Sequence, residues 1–128
     1  QAAILSAFLP KLDQWNEQRR AVASRYNTEI TNSLVSLPNH QGDAYVAHLY
    51  VINCAGREGL RKHLMKHNIS TDIHYPIPDH QQPIFNDQKG QLPVTELLAN
   101  QVLTLPCYPG LTGRQIDHVI ECVNSWKE

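Results

Sequence analysis

Apolar residues recur at about every third or fourth position through much of the first 30 residues, the spacing of one face of an amphipathic helix. The positions on this face are Leu5, Phe8, Leu9, Leu12, Trp15, Val22, Tyr26 and Ile30. Pro10 lies inside the pattern, and its ring removes one helical hydrogen bond and crowds the preceding turn. We therefore predict a long helix from Ala2 to Ile30 that kinks or restarts at Pro10. A helix that begins without a capping side chain leaves its first N–H groups unpaired, which predicts further chain upstream of Gln1.

The middle of the chain has the pattern of two strands flanking a short helix. Residues Ala44 to Cys54 are rich in aromatic and β-branched side chains, which predicts a strand buried on at least one face. Residues Arg57 to Asn68 carry two leucines four positions apart and basic residues toward the end, which predicts a helix. Residues Ile69 to Tyr75 are extended again. Strand, helix and strand in succession are typical of a mixed α/β domain.

The last third of the chain predicts two more helices. Residues Thr95 to Leu103 have a helical apolar period, whereas Leu105 to Gly110 must be extended and turning because it contains two prolines. Thr112 with Gln115 three positions later matches a capping box. The helix that follows presents a buried stripe formed by Ile116, Val119, Ile120, Val123 and Trp126. We predict a single α+β domain over residues 1–128.

The segment from Ser70 to Pro83 is rich in polar side chains and contains three prolines and a tyrosine. Its prolines exclude a helix and favour extended backbone at the residues that precede them, which are Tyr75, Ile77 and Gln82. Two imidazoles, a phenol, a carboxylate and two amides are therefore expected on a semi-rigid loop. Such a loop is suited to recognising a polar ligand.

Charge and apolar content exclude several classes of function. Eleven basic and twelve acidic residues give a net charge of −1, which argues against nucleic acid as a partner. No apolar run approaches the roughly 20 residues that span a bilayer, and the first residues do not resemble a signal peptide. Three widely spaced cysteines favour reduced core thiols over a disulfide framework. We expect a cytoplasmic protein that is not associated with a membrane.

Candidate metal and nucleophile sites are weak. His63 and His67 lie four positions apart on the predicted middle helix, but no third ligand accompanies them, which favours a solvated helix face. His74, Asp79 and His80 have a better composition for a metal, although prolines separate them. Cys107 has no adjacent base to activate it, and isolated glycines form no phosphate-binding loop. We predict no metal and no catalytic residue in this chain.

Several motifs in a fixed order resemble the C-terminal part of the DegT/StrS family of sugar aminotransferases. They are QAAI at residues 1–4, LPKLDQWNEQRR at residues 9–20, Tyr26, HLYVI at residues 48–52, IHYPIPDHQQP at residues 73–83 and LTLPCYP at residues 103–109. The resemblance covers nearly the whole chain. It implies the small C-terminal domain of the type I aminotransferase fold, with a short, mainly antiparallel sheet packed by helices and a long kinked N-terminal helix.

The family resemblance implies a homodimeric enzyme that uses pyridoxal phosphate to transfer an amino group to a nucleotide-linked keto-sugar. Such reactions supply deoxyamino sugars for polysaccharides of the cell surface, including lipopolysaccharide. In the family, the large domain provides the Schiff-base lysine and the cofactor contacts. The chain's own lysines are Lys11, Lys62, Lys66, Lys89 and Lys127, and all fall in segments that match the small domain. We therefore expect no bound cofactor in this chain and no activity from it alone.

The resemblance also assigns substrate-binding residues. His74 and Tyr75 match a pair that lies near the sugar and pyrophosphate, and His80 and Gln81 are expected to contact ligand from the same loop. The loop is most similar to members that act on thymidine-diphosphate 3-keto-6-deoxyhexoses. Three alternatives remain: a histidine–tyrosine pair satisfied inside the fold, a free-standing binding or self-association module, and a small metal hydrolase.

Overall fold

A computed structural model describes residues 1–39, 42–85 and 90–128 of the chain. In these ranges the helices are α1 (Ala2–Phe8), α2 (Leu12–Glu29), α3 (Arg57–Lys66), α4 (Pro93–Gln101) and α5 (Gly113–Ser125). The strands are β1 (Tyr50–Asn53) and β2 (Val102–Leu105). None of the described helices is both long and apolar enough to cross a membrane.

The N-terminal helix is interrupted where Pro10 predicted it. A single 3-10 turn over Leu9–Lys11 separates α1 from α2 and carries the proline in its first positions. The apolar stripe has two different environments on the two sides of this break. Val22, Ala23 and Tyr26 of α2 are buried in the core, whereas α1 contains no buried residue. The apolar side chains Ile4, Leu5, Phe8, Leu9 and Leu12 are 43 to 68% exposed.

The sheet consists of two short antiparallel strands. Tyr50 of β1 pairs with Leu105 of β2, and Ile52 pairs with Leu103. These four side chains share one face of the sheet because alternate residues of a strand point the same way. All four are at most 1% exposed. Single bridges extend the sheet on both sides, from Ser36 to Asn53 and from Asp72 to Thr104.

Three predicted element boundaries are wrong. The first strand occupies only Tyr50–Asn53 of the predicted span Ala44 to Cys54, since a 3-10 turn covers Gly42–Ala44 and Ala47 has a left-handed φ of 49°. The predicted strand Ile69 to Tyr75 is reduced to the single bridge at Asp72. The helix predicted for Thr95 to Leu103 is α4, which ends at Gln101 because Val102 and Leu103 belong to β2.

Helix α5 packs against two other helices in the core. Thr112 caps it through the predicted capping box with Gln115, in which the Gln115 amide nitrogen donates to the Thr112 hydroxyl over 3.3 Å. Both α2 and α3 pack against α5, and α3 also contacts β2. The predicted stripe Ile116, Val119, Ile120, Val123 and Trp126 is buried. Cys54, Cys107 and Cys122 are free thiols buried in the same core.

Candidate functional site

His74 lies where the sheet passes into the proline-rich loop. The bridge between Asp72 and Thr104 holds the chain just before it, with the Asp72 amide nitrogen 3.3 Å from the Thr104 carbonyl oxygen. Thr104 is buried, and its hydroxyl lies 2.8 Å from Nδ1 of His74. The other ring nitrogen, Nε2, lies 3.8 Å from a carboxylate oxygen of Asp72. Thr104 therefore holds the imidazole at the sheet edge, with the Asp72 carboxylate nearby.

A cleft of about 430 Å³ opens beside His74. One wall is the segment from Asn68 to Asp72, and the other is formed by the end of β2, the residues after it and the first half of α5. The lining residues are Asn68, Ile69, Ser70, Thr71, Asp72, His74, Thr104, Leu105, Pro106, Tyr108, Leu111, Gln115, His118 and Val119.

The chemistry of this cleft disfavours an anionic ligand. Asp72 is an acidic side chain in the lining, and the lining contains neither lysine nor arginine. The walls offer apolar surface, hydroxyl groups and imidazoles. A phosphate group in the cleft would be repelled by the Asp72 carboxylate and would find no lysine or arginine there to offset the repulsion. The cleft thus suits a neutral, hydroxylated ligand better than a pyrophosphate.

Tyr75 lies next to His74 but does not line the cleft. Its side chain is 84% exposed, and its ring centroid is 6.5 Å from that of His74. The prediction of extended backbone at Tyr75 is wrong, because its φ is +58°, in the left-handed region. A bulky residue adopts this region only at a cost of roughly 1–2 kcal/mol. Gln82, in contrast, has the predicted extended backbone, with φ −63° and ψ 144°.

Removal of this backbone strain should be measurable. We expect Tyr75→Asn to raise the free energy of unfolding by about 0.5–1 kcal/mol, because asparagine tolerates left-handed backbone and little burial is lost. Tyr75→Phe should leave stability unchanged, since no described residue bonds the Tyr75 hydroxyl. Urea unfolding followed by circular dichroism compares the two variants. Equal stability of both would show that the conformation carries no strain.

His80 is held by an acidic residue of α4. Nε2 of His80 lies 3.0 Å from Oε1 of Glu96, and the same oxygen accepts from the Leu92 amide over 3.1 Å. The bond from His80, followed by that from Leu92, holds the pKa of the Glu96 carboxyl below its usual value, and the Gln81 side chain contributes in the same direction. Glu96 therefore stays ionised at neutral pH and joins the loop to the start of α4.

The backbone of the loop is closed by short turns. The Gln81 amide donates to the Pro78 carbonyl over 2.9 Å, and the Gln82 amide donates to the Asp79 carbonyl over 3.0 Å. The Gln82 side chain donates to the Ile77 carbonyl over 3.2 Å. These bonds give the loop the restricted backbone that its prolines predicted.

The structure divides the predicted substrate-binding residues into two pairs. His74 and Tyr75 lie at the sheet edge, and His80 and Gln81 lie at Glu96. Whether these four residues contact a ligand stays a prediction. Sequence reasoning missed the partners, Thr104 and Glu96. Glu96 had one recognisable signal, its position in the first turn of α4 just after Pro93.

The described residues favour neither a metal site nor a nucleophilic cysteine. No three histidine, cysteine, aspartate or glutamate side chains within residues 1–39, 42–85 and 90–128 are grouped so that they could hold a metal ion. His63 and His67 instead lie near backbone carbonyls, 3.0 Å from those of Cys122 and His63, respectively. Burial raises the pKa of the Cys107 thiol to about 11, which opposes a role as nucleophile at neutral pH.

The described residues do not fit the pyridoxal phosphate that the resemblance implies. A Schiff-base lysine is held inside a site, whereas Lys11, Lys62, Lys66 and Lys127 are all exposed and none lines the cleft. Lys89 lies outside the described residues. No lysine in the part of the chain that the structure describes is therefore placed to form the Schiff base with the cofactor.

Comparison with known proteins confirms the resemblance. The family model of the DegT/DnrJ/EryC1/StrS aminotransferase family matches residues 1–124. The chain is 38% identical over 128 residues to a dTDP-3-amino-3,6-dideoxy-alpha-D-galactopyranose transaminase of Aneurinibacillus thermoaerophilus. The match covers 98% of this chain and 35% of that protein. A dTDP-3-amino-3,4,6-trideoxy-alpha-D-glucose transaminase of Streptomyces venezuelae is also 38% identical, over 133 residues that include 100% of this chain and 35% of the relative.

Solved structures confirm the fold class. The crystal structure of S. venezuelae DesV in complex with a ketimine intermediate matches with a TM-score of 0.90 and 38% identity, over 98% of this chain and 35% of that one. The structure of NtdA from Bacillus subtilis with bound cofactor PMP matches with a TM-score of 0.73 and 32% identity, over 86% and 28% of the two chains. This chain spans about a third of the length of these relatives. With the family match running through almost all of its residues, the chain belongs to the DegT/DnrJ/EryC1/StrS aminotransferase family.

Proposed function

We propose that the chain forms the C-terminal, substrate-side part of a pyridoxal-phosphate-dependent aminotransferase that acts on a nucleotide-linked keto-sugar. The observation that carries this proposal is the family match through residues 1–124 at about a third of the relatives' length. The absence of an enclosed lysine among the described residues supports a division of labour in which another domain binds the cofactor. The chain alone is then inactive.

Within this function, the proline-rich loop forms a wall of the substrate site. Tyr75 offers an exposed ring that can pack against a sugar face, and its hydroxyl can bond sugar or phosphate oxygens. His74, His80 and Gln81 supply further hydrogen-bonding groups. The pyrophosphate charge is met by cationic groups outside the cleft, because the cleft lining contains no lysine or arginine.

The exposed face of α1 supports the presence of a second domain. Five apolar side chains on α1, on the following turn and at the first residue of α2 are 43 to 68% exposed, although they continue the stripe that is buried further along in α2. A contiguous apolar face of this kind marks a contact surface. We propose that the cofactor-binding domain covers it and that the complete protein is a cytoplasmic homodimer.

The names of the relatives suggest the substrate class. Several relatives are transaminases of dTDP-linked amino sugars, including those from A. thermoaerophilus and S. venezuelae. We propose a thymidine-diphosphate 3-keto-6-deoxyhexose as substrate, with a product used in polysaccharides of the cell surface such as lipopolysaccharide.

A chimera tests the proposal. This chain replaces the corresponding C-terminal third of the A. thermoaerophilus transaminase, and transfer of the amino group from glutamate is measured with the keto-sugar nucleotide. We expect the chimera to be active and the isolated chain to be inactive. Tyr75→Phe should raise KM roughly fivefold, the effect of one lost hydrogen bond of about 1 kcal/mol. His74→Asn should act in the same direction.

Two controls sharpen the result. The absorbance of the bound cofactor should be the same in the chimera and in both variants, since neither residue contacts the cofactor in this proposal. Tyr108 is a half-exposed residue that lines the cleft, and in this proposal it does not contact the substrate, so Tyr108→Phe should leave KM unchanged. If Tyr108→Phe changed KM and Tyr75→Phe did not, the substrate would bind in the cleft and not against the loop. Turnover by the isolated chain would contradict the division of labour.

The exposed face of α1 also favours a second candidate, a self-association module without catalysis. In that case the isolated chain forms a defined oligomer through α1. Light scattering after gel filtration should then report an oligomer that Leu5→Glu converts to a monomer. A monomeric wild-type chain would exclude this function.

A further inference from the structure

Glu96 connects the proline-rich loop to α4, the helix that lies between the motifs at residues 73–83 and 103–109. It lies in the first turn of α4, 16 residues after His80. One oxygen of its carboxylate lies 3.0 Å from Nε2 of His80 and 3.1 Å from the Leu92 amide nitrogen. The His80 side chain is 13% exposed, so its ring is held in a largely enclosed position.

This contact fixes the proton on one nitrogen of His80. An ionised carboxylate can only accept hydrogen bonds, so Nε2 of His80 must be the donor. In the neutral ring the proton is then absent from Nδ1, which becomes an acceptor. No described residue forms a hydrogen bond with Nδ1 of His80. In the neutral ring, the nitrogen left for a ligand is therefore an acceptor.

A role limited to capping α4 does not account for this arrangement. To cap α4, the Glu96 carboxylate needs only the hydrogen bond that it accepts from the Leu92 backbone amide. A carboxylate near a helix N-terminus is also favourable without a histidine partner. The carboxylate of Glu96 instead joins the start of α4 to His80, a loop residue that is proposed to contact substrate.

We propose that Glu96 is a positioning residue for the substrate site, which holds His80 as the Nε2–H tautomer and leaves Nδ1 to accept a hydrogen bond from a sugar hydroxyl. The proposal rests on the proposed function, in which the loop forms the substrate wall. Glu96 itself does not touch the ligand; it acts through the orientation and tautomer of His80.

Nitrogen-15 NMR of the isolated chain tests the hold on His80. Two-bond correlations between ring protons and ring nitrogens report which nitrogen is protonated in the neutral ring. We expect the Nε2–H form in the wild type and in Glu96→Gln, whose amide oxygen can still accept, and a mixture of tautomers in Glu96→Ala. Glu121→Ala, on an exposed position of α5, is the control and should leave the His80 signals unchanged. An Nδ1–H form in the wild type, or no change in Glu96→Ala, would overturn the proposal.

Kinetics of the chimera test the consequence for substrate. Glu96→Ala should raise KM for the nucleotide sugar roughly five- to tenfold, the value of one ligand hydrogen bond, with kcat changed less than twofold. Glu96→Gln should restore most of this loss. Because Glu96 acts through His80, adding His80→Ala to Glu96→Ala should cause no further rise. Fully additive effects, or an unchanged KM in Glu96→Ala, would contradict the positioning role.

The two measurements separate this inference from the proposed function. An unsubstituted chimera that binds cofactor but transfers no amino group contradicts the proposed function. The role of Glu96 in positioning His80 for substrate is then contradicted as well. The NMR result is independent of turnover. An active chimera whose KM responds to Tyr75→Phe but not to Glu96→Ala supports the proposed function and overturns the role of Glu96 alone.

Discussion

Replacing Tyr26 by alanine should reduce the free energy of unfolding by about 3–5 kcal/mol, the usual cost of removing a large aromatic side chain from a core. Tyr26 is fully buried on α2, and its ring meets the ring of Tyr50 edge-on with centroids 5.0 Å apart. Its hydroxyl donates to the Pro106 carbonyl over 2.8 Å. The side chain thus joins α2, β1 and the segment after β2. Since whole domains are stable by only about 5–15 kcal/mol, this variant should be largely destabilised.

Tyr26→Phe is the matched control, because it keeps the ring and removes only the hydroxyl. The partly buried Pro106 carbonyl then loses its donor, which should cost about 1–2 kcal/mol. Urea unfolding followed by circular dichroism gives both values. If the two variants were equally unstable, the hydrogen bond rather than ring packing would dominate at this position. If Tyr26→Ala cost less than 2 kcal/mol, the site would collapse around the missing ring.

Local signals predicted the helices well. Pro10 marked the break between α1 and α2, and Thr112 with Gln115 marked the start of α5, because both effects act within one turn of backbone. The strands were predicted poorly. Val102 to Leu105 is a short apolar run after a helical period, and such a run fits a helix end or a strand equally well. Its partner in β1 is about 50 residues away and decides between the two.

The candidate site shows the same limit. The sequence identified the loop and the side chains on it, since prolines and motif order are visible locally. It could not identify Thr104, which holds His74 from 30 residues away, or Glu96, which holds His80. The apolar stripe of α1 likewise predicts that the helix has an apolar face, but it does not predict what covers that face. The exposure of the face is therefore visible only in the structure. Periodicity reports which residues share a face, and tertiary packing decides whether that face is buried.

Trp126 gives the second large effect, because it closes the core over the start of α3. It is 5% exposed, its carbonyl accepts from the Asn32 side chain over 2.9 Å, and its ring lies against Gly56 and Gly59. We expect Trp126→Ala to reduce the free energy of unfolding by about 3–5 kcal/mol in urea titrations. A loss below 1 kcal/mol would mean that the ring contributes little to the core.

The two glycines under this ring supply controls of opposite sign. A Cβ at Gly56 would lie 2.9 Å from Cη2 of Trp126, so Gly56→Ala should destabilise by about 1–3 kcal/mol through overpacking. A Cβ at Gly59 would lie 3.4 Å from Cζ2, an ordinary contact, and alanine inside a helix should stabilise by about 0.5–1 kcal/mol. In the Trp126→Ala background the penalty of Gly56→Ala should shrink, since the clash with the ring is removed and the remaining close atom is the Glu128 carboxylate, the end of a flexible side chain. An unchanged penalty there would show that Gly56 is required by its backbone and not by the tryptophan.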